Sequence, residues 1–540
     1  MLFLVTPQES TLRRCVDFVK RNVHHSSGTH AQAISIEEEA SEVFTLAKGL
    51  KNCCSPVGRL PRDVLQHIIG MRALERDLLA ASRVCRRWRD IFTTSPHLWT
   101  KFKCTGVGRT LQYITRSEPC PINVVADFDS DIRALVTLKS VTYRLGSLTL
   151  RLQPSDLAQA FRQLAAPAPL LERLEVHLTH PGSGLASRPS IPATFLGGFT
   201  PALKSFHLNG INAKLDFSKF PSLTRLTLIT NTQIFDMSEL FQVFTSSRLL
   251  EEVSVQFSGH ITPIPENQHV LQLPRMRKLG FSNQVGEFPG SLLSLLSMPS
   301  VEEIKLDIAL VGDDVRTIQD FLPPRLRNFP HLLKVVSLKL DVPYAHCNVQ
   351  FSGPGGTVSI QALRDGNREQ NDNFQSHWLG SLEPMSIADV KDLTLRGYHP
   401  EKPLGRCPVL KLLRAMDGLQ SLVVERCNGV ILAEVLSPAE GESILFPHLG
   451  SLKFQLLAER TKIFPDLTYM AQARKQAGFP LKNVSSDQYT VFRFSDVETL
   501  RPYIDCVRLN TEAEGHPSNK ENVTVRIFTC LELSRRTNCR

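Results

Sequence analysis

The sequence predicts a small all-α segment, a helical hairpin near the N-terminus, followed by an α/β solenoid whose short strands stack in parallel. Three observations carry this expectation. Residues 60–99 place apolar side chains at helical spacing. Beyond about residue 140 the frame apolar-x-x-apolar-x-apolar recurs, mostly at steps of 20–32 residues. In six of those copies a proline stands two residues before the first apolar slot.

Residues 1–54 read as a helical extension, with helix-like pieces at 11–21 and 34–50. Acids come early in Ser35-Ile36-Glu37-Glu38-Glu39 and Lys48 comes late, as the helix dipole favours. His24-His25 lies between the pieces in a polar linker with no second ligand cluster nearby. Met1-Leu2-Phe3-Leu4-Val5 is too short for a signal-peptide core.

The helical hairpin occupies 55–103. Pro61 suits a helix's first turn, where its missing N–H costs nothing, and Asp63 suits the positive end of the dipole. Val64, Leu65, Ile68 and Ile69 are expected on one face. Leu78, Ala81, Val84 or Cys85, and Trp88 form a second stripe, and Ser95-Pro96 stops it. A connector spans 104–139, the repeat array 140–460, degenerate terminal repeats 461–514 and a tail 515–540.

Copies of the frame begin at Leu145, Leu171, Leu203, Leu223, Leu250, Met276, Val301, Leu333, Val390, Leu419 and Leu449. The long step from Leu333 to Val390 is filled by a poor copy from Gly355 (Val358, Ile360), and degenerate copies start at Leu481 and Ile504. Composition alone would produce on the order of forty fits to three such slots. The prolines at 169, 201, 221, 274, 299 and 447 supply the specificity, while Pro330 fits only if its frame moves back by one residue. A proline cannot continue the preceding helix, biases its neighbour toward extended backbone, and is tolerated at a strand's first residue. A doubly wound α/β domain would call for a nucleotide loop, and none is visible. Gly353-Pro354-Gly355-Gly356 and the polar stretch near 353–377 are expected as a flexible insertion.

Composition excludes several classes. With 540 residues, 42% hydrophobic and 21% charged, the chain is expected to fold, as several domains or a long repeat array. A net charge of +9 is mild over this length and does not demand nucleic acid. No run reaches the ~18 apolar residues of a membrane helix, so no membrane contact is expected. The 12 cysteines contain no Cys-x-x-Cys pair, and Cys53-Cys54 are adjacent; reduced thiols and a cytoplasmic or nuclear location follow. Sequons at Asn483 and Asn522 then read as chance. No nucleophile elbow, Walker loop, His-Glu-x-x-His pair or EF-hand loop is present. Asp313-Asp314 reads as loop, and Arg83, Arg86, Arg87 and Arg89 as a solvated helix face. No catalytic residue, metal or cofactor is expected, and the protein is not expected to be an enzyme.

The order of side chains in the hairpin resembles the F-box: Leu60-Pro61, Asp63-Val64-Leu65, Asp77-Leu78-Leu79, Val84-Cys85-Arg86 with Trp88-Arg89, and Ser95-Pro96 with Leu98-Trp99. Gly70-Met71-Arg72 departs from the more usual leucine at the end of the first helix. The array resembles leucine-rich repeats of irregular length. The combination, an F-box bundle followed by a leucine-rich-repeat solenoid, is similar to substrate receptors of SCF-type ubiquitin ligases, in a proline-marked form numerous in fungi.

The resemblance implies docking on a Skp-family adaptor, and through it a cullin. The docking surface would draw on Leu60, Pro61, Val64, Leu65, Ile68, Leu78, Leu79, Val84 and Trp88, some of which must serve as the hairpin's own core. A target protein would meet the alternate strand positions: Glu175, His177, His207, Asn209, Thr227, Ser254, Gln256, Lys305, Asp307, Lys339, Arg396, Glu425, Lys453 and Gln455. The alternatives are a Skp-bound scaffold outside the ligase and, least favoured, a nucleic-acid-binding solenoid.

Overall fold

The computed structural model describes residues 55–72, 75–127, 132–179, 191–198, 200–211, 220–230, 234–258, 260–262, 269–283, 290–310, 334–341, 346–364, 387–397, 415–426, 445–455, 464–486, 491–492, 494–508 and 510–511, with isolated positions at 17, 21, 38, 41–45, 47, 318, 378, 382 and 412–413. The His24-His25 pair, Asp313-Asp314, residues 365–377 and the tail after 511 lie outside the described residues. The chain forms two units, residues 1–171 with 194–198 and residues 172–193 with 199–540.

From residue 55 onward the first unit carries three short helices, α1 (Arg62–Arg72), α2 (Glu75–Ala81) and α3 (Arg86–Thr93). The expected second stripe, Leu78 to Trp88, is therefore broken. Ser82 turns its hydroxyl onto the Leu79 carbonyl at 2.8 Å, the local competition that ends helices, and Cys85 is extended at φ −158°. A short 3₁₀ turn, Pro96–Trp99, follows, and Trp99 is fully buried. Its Nε1 donates to the Phe92 carbonyl at 2.7 Å, while Tyr113 packs at 5.1 Å and the Arg116 guanidinium sits 4.3 Å over the ring. The region expected as a connector is thus folded against the helices. It carries α4 (Val107–Arg116) and β2 (Ile122–Ala126), and β2 lies between β1 (Lys101–Lys103) and β3 (Leu145–Leu152), all parallel. Arg144, 3% exposed, donates to the carbonyls of Cys120 and Ile114 and to the Ser117 hydroxyl, closing the end of α4. Pro154 then starts α5 (Pro154–Gln163) at its first turn.

The second unit is a parallel-dominated strand stack. Its members are β4 (Arg173–Leu178), β5 (Ser205–Asn209), β6 (Arg225–Ile229), β7 (Glu252–Phe257), β8 (Lys278–Asn283), β9 (Glu303–Leu310), β10 (Ser337–Asp341), β11 (His346–Gly353), β12 (Gly356–Arg364), β13 (Asp392–Arg396), β14 (Ser421–Glu425), β15 (Ser451–Gln455), β16 (Asn483–Ser486) and β17 (Cys506–Arg508). One inward position stays in register throughout. It runs Leu174, Phe206, Leu226, Val253, Leu279, Ile304, Val358, Phe351, Leu338, Leu393, Leu422, Leu452, Val484 and Val507. Each of these side chains is buried. The degenerate copies from Leu481 and Ile504 become β16 and β17, so the stack extends through both.

The prolines work differently from the expectation. Leu203 N–H donates to the Thr200 carbonyl, Leu223 to Phe220, Met276 to Leu273, Val301 to Met298 and Leu449 to Phe446. Each bond closes a four-residue turn whose second residue is the proline, the position where its fixed φ is pre-set for a turn. Pro201, Pro221, Pro274, Pro299 and Pro447 therefore precede their strands by a turn and do not begin them. Arg248 and Asp417 occupy the same place in turns closed by Leu250 and Leu419, so proline favours the turn without being required for it.

The frame from Leu333 is corrected. Val335, Leu338 and Leu340 are the buried set, and Val336 is only half-buried. Here the chain also leaves sequence order. β9 pairs in parallel with β12, which runs antiparallel to β11, which runs antiparallel to β10; β10 then pairs in parallel with β13. The three strands enter the stack in reverse. The Gly355 copy is a strand, with Val358 and Ile360 buried, and Gly353-Pro354-Gly355-Gly356 is the turn of a β11–β12 hairpin where a flexible loop was expected. Gly356 packs so closely on Glu302 that a Cβ there would overlap the Glu302 carbonyl, which accepts from Thr357 N–H at 2.8 Å.

Gly356→Ala should therefore destabilise the second unit by about 1–3 kcal/mol, read as an earlier thermal transition of that unit.

Candidate functional site

Two surfaces hold the candidate residues, one in each unit. In the first, α1 is amphipathic, but its apolar residues divide between two directions. Leu65 is 1% exposed and packs inward with Leu78 (2%), Ala81, Ile91 and Phe92. Val64 (41%), Ile68 (46%) and Met71 (64%) lie outward at the i, i+4, i+7 spacing of one helix face. Leu65 and Leu78 thus belong to the bundle's own core, as expected of some of the docking set: a bundle this small must bury part of each stripe to hold itself together. Leu60, Leu79 and Trp88 are half-buried, Pro61 is exposed, and Val84 is 57% exposed. Trp88 rests edge-on against Phe92 at 5.5 Å, which gives part of its ring to the core. Met71 and Val57 (50%) are open apolar residues outside the expected set. The departure at Gly70-Met71-Arg72 concealed Met71, although its spacing from Val64 and Ile68 was readable.

Polar contacts hold this surface in place. Arg62 Nη2 donates to Thr94 Oγ1 at 2.7 Å and to its carbonyl at 3.2 Å, and Gln66 Nε2 donates to Ser95 Oγ, tying α1 to the end of α3. Arg87 Nη2 donates to the Leu60 carbonyl at 2.7 Å, pinning the segment before α1. Arg83, Arg86 and Arg89 remain exposed around Val84.

In the second unit, all fourteen strand positions expected to face a target lie on one face of the stack. Glu175, His207, Thr227, Ser254, Lys305, Lys339 and Lys453 fall on one cross-strand row. His177, Asn209, Gln256, Asp307, Arg396, Glu425 and Gln455 fall on the next. The reversed strands add Asn348, Gln350, Ser359 and Gln361 to these rows, and Asp341 joins beside Arg396. The Leu333 frame hid Asp341, and antiparallel β11 matches no parallel-repeat template.

The face carries mixed, locally paired charge. Arg396 lies 3.5 Å from Asp341 and 3.4 Å from Glu425, and Lys305 lies 3.0 Å from Asp307. At one end the rings of His177 and His207 are 4.5 Å apart, with Glu175 3.8 Å from His177. Burial, then the charge of His177, holds His207 below the usual histidine range, against the pull of Glu175. Beside it a shallow depression of about 280 Å³ opens over the starts of β5–β9. Among the described residues no group of three His, Cys, Asp or Glu side chains is arranged to hold a metal ion, and no helix is long and apolar enough to cross a membrane.

Residues 57–105 match the F-box-like family model. No curated protein matches the chain. The chain therefore carries an F-box-like domain whose outward stripe is Val64, Ile68 and Met71.

Leu65→Ala should cost about 2–5 kcal/mol of the first unit's stability, whereas Val64→Ser should change it by no more than about 0.5 kcal/mol; chemical denaturation distinguishes the two. For His207 the folded value lies below the unfolded one, so the unfolded chain takes up its proton first. Its contribution is present above the unfolded value near 6.5 and is lost as pH falls through that value toward the folded one. His207→Gln should flatten the fall of the thermal midpoint between about pH 7 and pH 5.

Proposed function

We propose that this protein is a substrate-recognition adaptor of an SCF-type ubiquitin ligase. The reading rests on one observation above the others: within the segment matching the F-box-like model, Val64, Ile68 and Met71 form an open apolar stripe that the fold itself leaves uncovered. Its occupant is a Skp-family adaptor, which joins the chain to a cullin. Each of these side chains is roughly half open, so covering it would contribute on the order of 1 kcal/mol. Val57 and Val84 are further open apolar residues of the same domain, and the exposed arginines flanking Val84 in sequence favour an acidic rim on the partner.

The second unit acts as an irregular leucine-rich-repeat solenoid of the kind found in fungal F-box proteins, and its polar strand face binds a target protein. No catalytic residue is needed. Holding the target while the F-box is tethered to the ligase raises the effective concentration of target lysines near the charged conjugating enzyme. The protein works without a cofactor, in the cytoplasm or nucleus. A Skp-bound scaffold outside the ligase would use the same docking stripe; co-purification of the adaptor without cullin would select it.

Val64→Asp with Ile68→Asp places two charges where the adaptor would bury apolar carbon. The pair should weaken capture of a purified Skp-family adaptor by about a hundredfold or more, with the circular dichroism spectrum and thermal transition unchanged. Undiminished capture by the folded variant refutes the docking assignment.

A further inference from the structure

Along the outward row that begins Glu175, His207, Thr227 and Ser254, the next position is Gly280 and the one after it is Lys305. Gly280 is the place in this sequence of strands where the face has no side chain, and the depression opens over it. A glycine inside a strand weakens it, and such a residue often marks a close approach by another molecule. Here the fold itself makes no demand for glycine. The nearest atoms to a Cβ built on Gly280 are Ser254 Oγ at 3.6 Å and the Val253 carbonyl oxygen at 3.8 Å, ordinary contact distances. Gly356, whose Cβ would overlap the Glu302 backbone, is the opposite case. The effect of glycine at position 280 is to leave space on the surface.

The chemistry around that space is neutral. Arg225 lies 3.5 Å from Glu252, Lys305 lies 3.0 Å from Asp307, and Lys278 stands in register between Glu252 and Glu303. Every cation bordering the depression therefore has an acid beside it. The floor offers the hydroxyls of Thr227 and Ser254, and His207 Nε2 is buried without a hydrogen-bond partner. At about 280 Å³ the space falls just below the usual range of ligand-pocket volumes, enough for a protruding side chain and too small for a folded surface to enter.

We infer that the depression over Gly280 is the anchor point for the target, and that it receives an uncharged hydrogen-bonding side chain, a hydroxyl or carboxamide, presented by an extended peptide segment. This rests on the reading of the second unit as a target receptor and gives that face a chemical preference. Peptides carrying a charged residue at the anchor would bring an uncompensated charge to a site whose lining acids and bases already balance.

The test is a displayed library of random dodecapeptides panned against the purified full chain. Recovered peptides should share a Ser, Thr, Asn or Gln whose replacement by Lys or Asp abolishes binding. Gly280→Val fills the space with a good strand former, and it should weaken those peptides by about tenfold or more, with the thermal transition retained. Gly280→Ala, with ordinary clearance for its Cβ, should weaken them less, and it carries the comparison if the valine variant melts early. Thr394→Val, farther along the same row, should leave binding unchanged. Equal affinity for wild type and both Gly280 variants, a required charge at the anchor, or no peptide recovered overturns the inference. Adaptor capture by the same variants reports separately on the docking assignment: its loss in the Val64 and Ile68 variant, with Gly280 variants unaffected, keeps the two questions apart.

Discussion

The second unit depends on one constraint, that each strand's backbone groups find partners only in the strands beside it. The connection is made the same way again and again. Consecutive N–H groups of one segment converge on a single carbonyl of the segment before: Lys204 and Ser205 on Glu172, Thr224 and Arg225 on Lys204, Glu251 and Glu252 on Thr224, Arg277 and Lys278 on Glu251. The fork recurs at Lys391 and Asp392 on Val336, and at Gly450 and Ser451 on Gln420. It sets the register, and the register aligns the buried ladder from Leu174 to Val507. Slipping any strand by one residue would turn its leucines outward, so hydrogen bonding and apolar burial specify the same alignment.

That constraint explains how three strands enter in reverse without breaking the stack. β12 takes the place beside β9 and β10 the place beside β13, so both exposed ladders are satisfied and only the middle strand is antiparallel. Thr357 donates to Glu302 as the other strands do to their predecessors. Phe351, Val349 and Cys347 still face inward, and complete burial raises the Cys347 thiol far above the usual range, leaving it inert. The outer face meanwhile gains a run of amides and hydroxyls between two groups of paired charges.

Buried arginines close the remaining backbone gaps. Arg144 gathers carbonyls at the end of α4, and Arg474 does the same for the turn before β15, donating to Leu445 at 2.8 Å and Phe446 at 2.7 Å. Burial lowers Arg474 to about 10, still charged at neutral pH. A guanidinium suits this place because its several planar donors satisfy more than one carbonyl. Neither arginine was legible beforehand, since a charged residue between apolar ones is ordinarily solvent-facing.

Local chemistry determined much of this protein before any coordinates. The helical spacing around Val64 to Trp88, the order of residues from Leu60-Pro61 to Trp99, and the Leu-x-x-Leu-x-Val frame depend on near neighbours in the chain, and these located the F-box-like domain and most of the strands, including the outward alternate positions. Tertiary structure alone decided which of two adjacent apolar residues, Val64 or Leu65, becomes core, because that depends on which side α3 covers. It alone decided that β10–β12 enter in reverse, because strand order is a choice among distant partners that leave the same local pattern. And it alone showed that Gly280 opens a space while Gly356 is held against a carbonyl, because the difference lies in what stands across from each glycine, and that neighbour is a remote segment of the chain.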